Sequence, residues 1–284
     1  MWRLKMIVAL ALIAACAQSA PPETTAATTS TSQPPAPPTT QSPAPGCPEA
    51  GQFTEGGRVG SMSQEQSDAT KIGAISWDEG VGCETFRIAF ETSEGAPATT
   101  PPTVTVDYLD PAPVLRIRLD VDSTVVTDQL VESALVERLY VVRSLDGDMF
   151  IDFHLAAPAQ TRFDIETSPA ALLLDLQPGI VQHPTPPAGS EITVVVDPLD
   201  GVTVEPNFTI TGYARTFEAN VLVIATSDGQ VVAQSNTTAA DWLDTWGEFA
   251  IEVAVGPGIV AIFVGEESPR DGSLRGVTFS VTVR

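Results

Sequence analysis

The side chains best suited to nucleophilic, redox or soft-metal chemistry in this sequence are few: Cys16, Cys47, Cys83, His154 and His183. A serine or cysteine nucleophile needs a base beside it, usually histidine, and a zinc site needs several Cys or His ligands at close spacing. Neither pattern is present: there is no C-x-x-C, and no histidine lies near Cys47 or Cys83. His154 sits in the alternating stretch 149–155, on the face opposite Ile151 and Phe153. That position suits a solvent-facing or hydrogen-bonded sheet residue better than a catalytic one. Carboxylates are abundant, with 36 Asp and Glu against 14 Lys and Arg and a formal charge of −22. Paired carboxylates hydrolyse glycosides, but among so many acids a pair selects nothing. Asp120-Val121-Asp122-Ser123 lacks the glycine and terminal Glu of an EF-hand loop. Gly56-Gly57-Arg58-Val59-Gly60 lacks the lysine of a phosphate loop, and no G-x-S-x-G occurs. The expectation is no catalytic residue, no metal and no cofactor. The acidic charge repels phosphate backbones and anionic lipid, which excludes nucleic acid as a partner.

The chain opens on an address. Arg3 and Lys5 precede ten unbroken apolar residues, 6–15. A span of the hydrocarbon core needs about twenty, so residues 1–15 read as a signal peptide. The run ends in Ile13-Ala14-Ala15-Cys16, small residues directly before a cysteine. This junction resembles the bacterial lipobox. The resemblance implies cleavage before Cys16 and lipidation of its thiol, which would anchor the chain to a membrane at ~0.8 kcal/mol per buried CH₂. Residues 16–46 are rich in Pro, Thr, Ser and Ala and form a disordered stalk, a plain spacer or an O-glycosylated one. With Cys16 lipidated, Cys47 and Cys83 remain as an even pair outside the cytoplasm, where a disulfide is expected.

From about Lys71 the pattern alternates with period two. Phe86, Ile88 and Phe90, then Val104, Val106 and Tyr108, then Leu115, Ile117 and Leu119 each mark one face of a half-buried strand. Met149, Ile151, Phe153 and Leu155 follow, then Phe163 and Ile165, then Leu172, Leu174 and Leu176. One short helix is predicted at 128–136, with Thr127 as cap and Leu130, Ala134 and Leu135 on one face. The result is an antiparallel β domain over 50–180. The order of its elements resembles the AMIN-like domains of cell-wall amidases. The carriers are Thr85-Phe86-Arg87-Ile88-Ala89-Phe90, Val104-Thr105-Val106-Asp107-Tyr108, Leu115-Arg116-Ile117-Arg118-Leu119 and Ala171-Leu172-Leu173-Leu174-Asp175-Leu176. The resemblance implies a non-catalytic targeting module of the cell envelope.

A Pro-rich joint at 183–189 separates this domain from a second one, expected to fold independently. Seven strand stretches follow: 192–196, 208–215, 221–226, 230–235, 248–254, 259–264 and 277–283. Ser227-Asp228-Gly229 is a hairpin signal. Seven short strands without helical periodicity suggest an immunoglobulin-like β-sandwich over 190–284, so the whole chain is read as all-β. Ile210-Thr211-Gly212-Tyr213-Ala214-Arg215-Thr216-Phe217-Glu218-Ala219-Asn220-Val221 resembles the signature of the bacterial spore-germination immunoglobulin-like domain, the module that accompanies GerMN domains. Asp197-Pro198, Trp246-Gly247-Glu248-Phe249 and Ser268-Pro269-Arg270-Asp271-Gly272-Ser273 follow in matching order, whereas no GerMN domain is recognisable upstream.

Arg215, Glu218 and Asn220 lie at the end of one strand and the start of the next. They are either a partner-binding edge or a charged pair with an Asn-capped turn. Trp246, beside Phe249, is expected in the core, and Trp242 on the surface as a contact for glycan or protein. The function expected is non-enzymatic binding of a cell-envelope partner, wall polymer or protein, by a membrane-anchored extracytoplasmic lipoprotein. The alternatives are a carboxylate-based wall hydrolase and a solute-binding lipoprotein of an importer. The second requires two α/β lobes, whose periodicity is missing.

Overall fold

The computed structural model describes Cys47 and residues 51–284 apart from Pro184. The signal segment, Cys16 and the Pro/Thr-rich stretch to residue 46 lie outside the described residues. The first half carries β1 (Arg58–Met62), β2 (Lys71–Gly80), β3 (Cys83–Glu91), β4 (Val104–Tyr108), β5 (Val114–Leu119), β6 (Ser123–Thr124), β7 (Asp128–Leu130), β8 (Val136–Arg143), β9 (Met149–Leu155), β10 (Ala159–Glu166) and β11 (Ala171–Pro178). The second half carries β12 (Ala188–Gly189), β13 (Thr193–Asp197), β14 (Thr203–Val204), β15 (Asn207–Ala214), β16 (Asn220–Ser227), β17 (Gln230–Thr238), β18 (Trp246–Ala254), β19 (Gly258–Glu267) and β20 (Leu274–Val283). One turn of 3-10 helix, Phe217–Ala219, is the sole helical element among the described residues.

Alternation along the strands decides the packing. In β3 the side chains of Phe86, Ile88 and Phe90 are buried, and in β11 so are those of Leu172, Leu174 and Leu176. These two strands pair antiparallel within the sheet β10-β11-β3-β2-β6. Their apolar face packs on Leu115, Ile117, Ile151 and Phe153 of the facing sheet. In the second half Ile210 and Phe249 face Val221, Val223, Ile262 and Phe279, which belong to the sheet β14-β20-β19-β16-β17. Each of the seven stretches expected there overlaps a strand, with the short β12 and β14 in addition. Asp228 and Gly229, at φ 51° and 75°, form the two-residue turn between β16 and β17. Positive φ at both positions matches the right-handed twist of the strands they join.

The stretch 128–136 is not helical. Asp128–Leu130 pairs with β8 as a strand, and Leu130 is 49% exposed while Leu135 is 5% exposed, so the apolar residues share no face. The hairpin is held from outside. Glu84, buried under it, accepts the Leu135 N–H at 2.9 Å and the Ser133 hydroxyl at 2.6 Å. These bonds satisfy a carboxylate that would otherwise be costly to bury, and they favour the turn over a helical N-cap at Thr127.

The two halves are in contact, and all described residues fall in one compact unit. The largest sheet runs β1-β4-β5-β9-β8-β18-β15-β13-β12, through both halves. The link is a short parallel pairing, Val142 against Trp246 and Arg143 against Gly247. Tyr140, Val142 and Phe150 from the first half pack with Val194, Val196, Tyr213 and Trp246 from the second. Trp246 is thus core, but in the seam rather than in the second-half cluster around Phe249.

Candidate functional site

The corner between β15 and β16 is built around a buried acid. Glu266, 6% exposed, accepts the Phe217 N–H at 2.6 Å and is paired with Arg275 at 3.2 Å. The turn then passes through Glu218 and Ala219, at φ 54° and 59°. Two consecutive non-glycine residues in the left-handed region are uncommon and persist where the surroundings hold them. Ala219 is held on both sides, donating its N–H to Thr216 and accepting that of Ala239. The turn leaves Phe217 52% exposed. The Trp242 ring meets the Phe217 ring edge-on with centroids 5.7 Å apart. Trp242 is half-buried against the second-half core, and its neighbour Leu243 is 68% exposed.

Asp241 fixes the loop that carries these two residues. One carboxylate oxygen accepts the N–H groups of Trp242, Leu243 and Asp244 at 2.6, 3.0 and 3.1 Å. The other accepts Arg143 Nε, from β8, at 3.0 Å. Burial alone would raise the Asp241 pKa, but Arg143 and the three backbone donors outweigh it and hold it below the usual carboxylate value. Gly247 lies beneath, where a Cβ would collide with the Asp241 backbone. The aromatic pair is therefore positioned by both halves of the chain.

Of the residues singled out from sequence, Arg215 is half-buried and Glu218 and Asn220 are exposed beside this face. Arg215 and Glu218 form no ion pair among the described residues, and Asn220 closes the turn through its backbone N–H, to Phe217 O. The charged pair does not form among the described residues; Asn220 caps the turn through its backbone, and Glu266 anchors the corner. Trp242 is less exposed than expected, and Phe217 and Leu243 supply the outer surface.

Most of the remaining polar chemistry lies in the seam. The face of β5, β8 and β9 that alternation points away from the first core carries Arg116, Arg138, Tyr140, Phe150, Asp152 and His154. Much of that face is covered by the second half rather than by water. Arg116 grips the fully buried Asp152 through two bonds of 2.7 Å, lies 3.9 Å above the Phe150 ring, and reaches Glu248 of β18 at 3.7 Å. Thr245 donates to Val141 O at 2.5 Å, and Trp246 Nε1 to Asp128 at 3.3 Å.

His154 is held in this seam by Tyr213, with Nε2 2.5 Å from the phenol oxygen. Tyr213 is fully buried, and burial raises its pKa well above the ordinary value, so the phenol keeps its proton. His154 is its one hydrogen-bond partner among the described residues, and an unpaired buried O–H is costly. Tyr213 therefore donates, and the proton of neutral His154 sits on Nδ1. Burial, aided by Arg116 and Arg138 against the opposing pull of Asp152, lowers the imidazole pKa to about 4.

Cys47 and Cys83 are joined by a disulfide with Cα atoms 4.7 Å apart. They form, with Asp175, the one grouping of metal-donor spacing among the described residues, and their sulfurs are bonded to each other. Across 36 positions such a link stabilises by about 4 kcal/mol on the chain-entropy relation. Cys16 lies outside the described residues. No helix among the described residues is long and apolar enough to cross a membrane.

Residues 192–273 match the family model of the immunoglobulin-like domain of bacterial spore germination. The match contains the Glu266-anchored corner, Phe217, Trp242 and Asp241. No curated protein and no solved structure matches the chain.

Proposed function

We propose that this chain is a non-enzymatic, membrane-anchored lipoprotein outside the cytoplasm, and that it binds a cell-envelope partner, wall polymer or protein, through the Phe217–Trp242 face. The observation that carries this reading is the aromatic pair itself. An exposed Phe217 and a half-buried Trp242 are held edge to face by a buried glutamate and a cross-half ion pair, inside the segment that matches an immunoglobulin-like family. Rigid aromatics lose little conformational entropy on binding, which is why they dominate hot spots. Leu243 extends the apolar contact, and Arg215, Glu218 and Asn220 provide a polar rim.

The first half is read as an AMIN-like targeting module and the second as an immunoglobulin-like sandwich, and their shared sheet would present both to the wall in one orientation. Anchoring rests on the Ala14-Ala15-Cys16 junction after ten apolar residues. Replacing Cys16→Ala and fractionating cells without detergent tests it. The protein should leave the membrane pellet or remain unprocessed, and unchanged processing and retention would contradict the anchor.

A further inference from the structure

Where the joint meets the seam there is a cavity of about 420 Å³, within the range of small-molecule sites. One wall is the first half's outer sheet face. Arg138 and His154 are direct cross-strand partners on β8 and β9, so their side chains stand together on that face. The opposite wall is built by Pro186, Pro187, Gly189, Ser190, Glu191 and Val194.

The lining is chemically specific. Arg138 lies 3.8 Å from Asp128, long for a guanidinium–carboxylate pair, and 5.7 Å from the centre of the Tyr140 ring, whose hydroxyl it also approaches; five donors are more than these two neighbours use. Tyr213 occupies His154 Nε2, which leaves the ring proton on Nδ1, and no hydrogen bond from Nδ1 is formed among the described residues. Two cross-strand donors in this arrangement suit a carboxylate. Glu137 and Glu191, both exposed, stand at the same cavity and suit an ammonium group. Tyr140, Val194 and Pro187 give an apolar wall between. A polyanion is disfavoured by the two glutamates and by the chain's charge of −22, and a simple cation by Arg138.

We propose that this cavity binds a small zwitterion, an amino acid or the end of a short peptide, with its carboxylate between Arg138 and His154 and its ammonium toward Glu137 and Glu191. The site shares no residue with the Phe217–Trp242 face, so either can fail without the other.

The test uses the full chain, titrated by calorimetry and by imidazole nitrogen NMR, in which His154 and His183 are the only histidines. The probes are alanine, Ala-Ala, N-acetyl-Ala-Ala and Ala-Ala amide. Alanine or Ala-Ala should shift His154 and leave His183 unmoved, and the comparison of these two tells an amino acid from a peptide end. Both blocked dipeptides should bind at least tenfold more weakly than the better zwitterion, and so should the zwitterion to Arg138→Gln. Glu191→Gln, at an exposed position, should narrow the gap between the free and acetylated dipeptides without changing the fold. Equal binding of free and blocked probes, or no His154 shift at millimolar alanine and Ala-Ala, would overturn the proposal.

Discussion

The ring of Tyr140 on β8 and the ring of Trp246 on β18 meet edge to face with centroids 5.0 Å apart, one from each half of the chain. Around them Tyr213, Val194 and Val196 pack in one cluster with Val142 and Phe150 of the first half. A fragment starting at residue 190 would expose this cluster and leave β18 without its parallel partner. The full chain should therefore unfold in a single calorimetric transition, and the 190–284 fragment should aggregate or melt far below it. Trp246→Ala should cost about 3–5 kcal/mol, the usual penalty for an excised buried aromatic. Two resolved transitions, one of them reproduced by the fragment, would show the halves to be independent.

The Arg116–Asp152 pair separates the cost of breaking a buried ion pair from the worth of having one. Asp152 is fully buried and holds Arg116 at 2.7 Å, so Asp152→Ala leaves the buried guanidinium with only Glu248 at 3.7 Å and should destabilise by about 3 kcal/mol. The double replacement Arg116→Met with Asp152→Leu removes both charges and should recover much of that loss. Urea denaturation of the three proteins measures the difference. A double variant as unstable as Asp152→Ala would mean that the pair is worth more than its desolvation.

Acid sensitivity follows from His154. Its folded pKa of about 4 lies below the unfolded value of 6.5, so between these limits the unfolded chain binds more protons. Stability from this group is complete above pH 6.5, falls as pH drops toward 4, and is lost below it; the whole effect is about 3 kcal/mol. His154→Gln keeps an acceptor for Tyr213 but cannot titrate. Its stability profile between pH 4 and 6.5 should be flatter than that of the parent. Parallel profiles would place the acid sensitivity elsewhere.

Legibility in the sequence tracked burial on one face. β3, β4 and β11 alternate because one side packs and the other meets water or a polar neighbour, and all were readable. β8 was not. Leu139, Tyr140, Val141 and Val142 are all buried, the odd positions in the first core and the even ones in the seam, and a strand covered on both sides loses its period. Missing β8 also hid the seam, because β8 carries the pairing to Trp246. The same reason concealed Arg116 and Asp152, which occupy polar-face positions that ordinarily point to water. In the candidate site Trp242 and the corner around Glu218 were visible as types in a loop. Glu266 and Asp241 were not, since nothing local to either sequence position says which distant backbone it will cap.

The central claim, recognition through the Phe217–Trp242 face, is tested by the residues that project from it without supporting the fold. Leu243, 68% exposed, and Phe217, 52% exposed, meet that condition better than Trp242, which packs on the core. Leu243→Ser should change stability by no more than about 0.5 kcal/mol, and Phe217→Ala, which gives up the ring contact with Trp242, by about 1 kcal/mol. The decisive measurement compares the parent chain with the Leu243→Ser, Phe217→Ala double variant for co-sedimentation with purified wall material and for capture of envelope protein. A melting temperature lowered by only a few degrees and a loss of at least tenfold in bound partner are expected. A double variant that folds normally and retains every partner of the parent would contradict it.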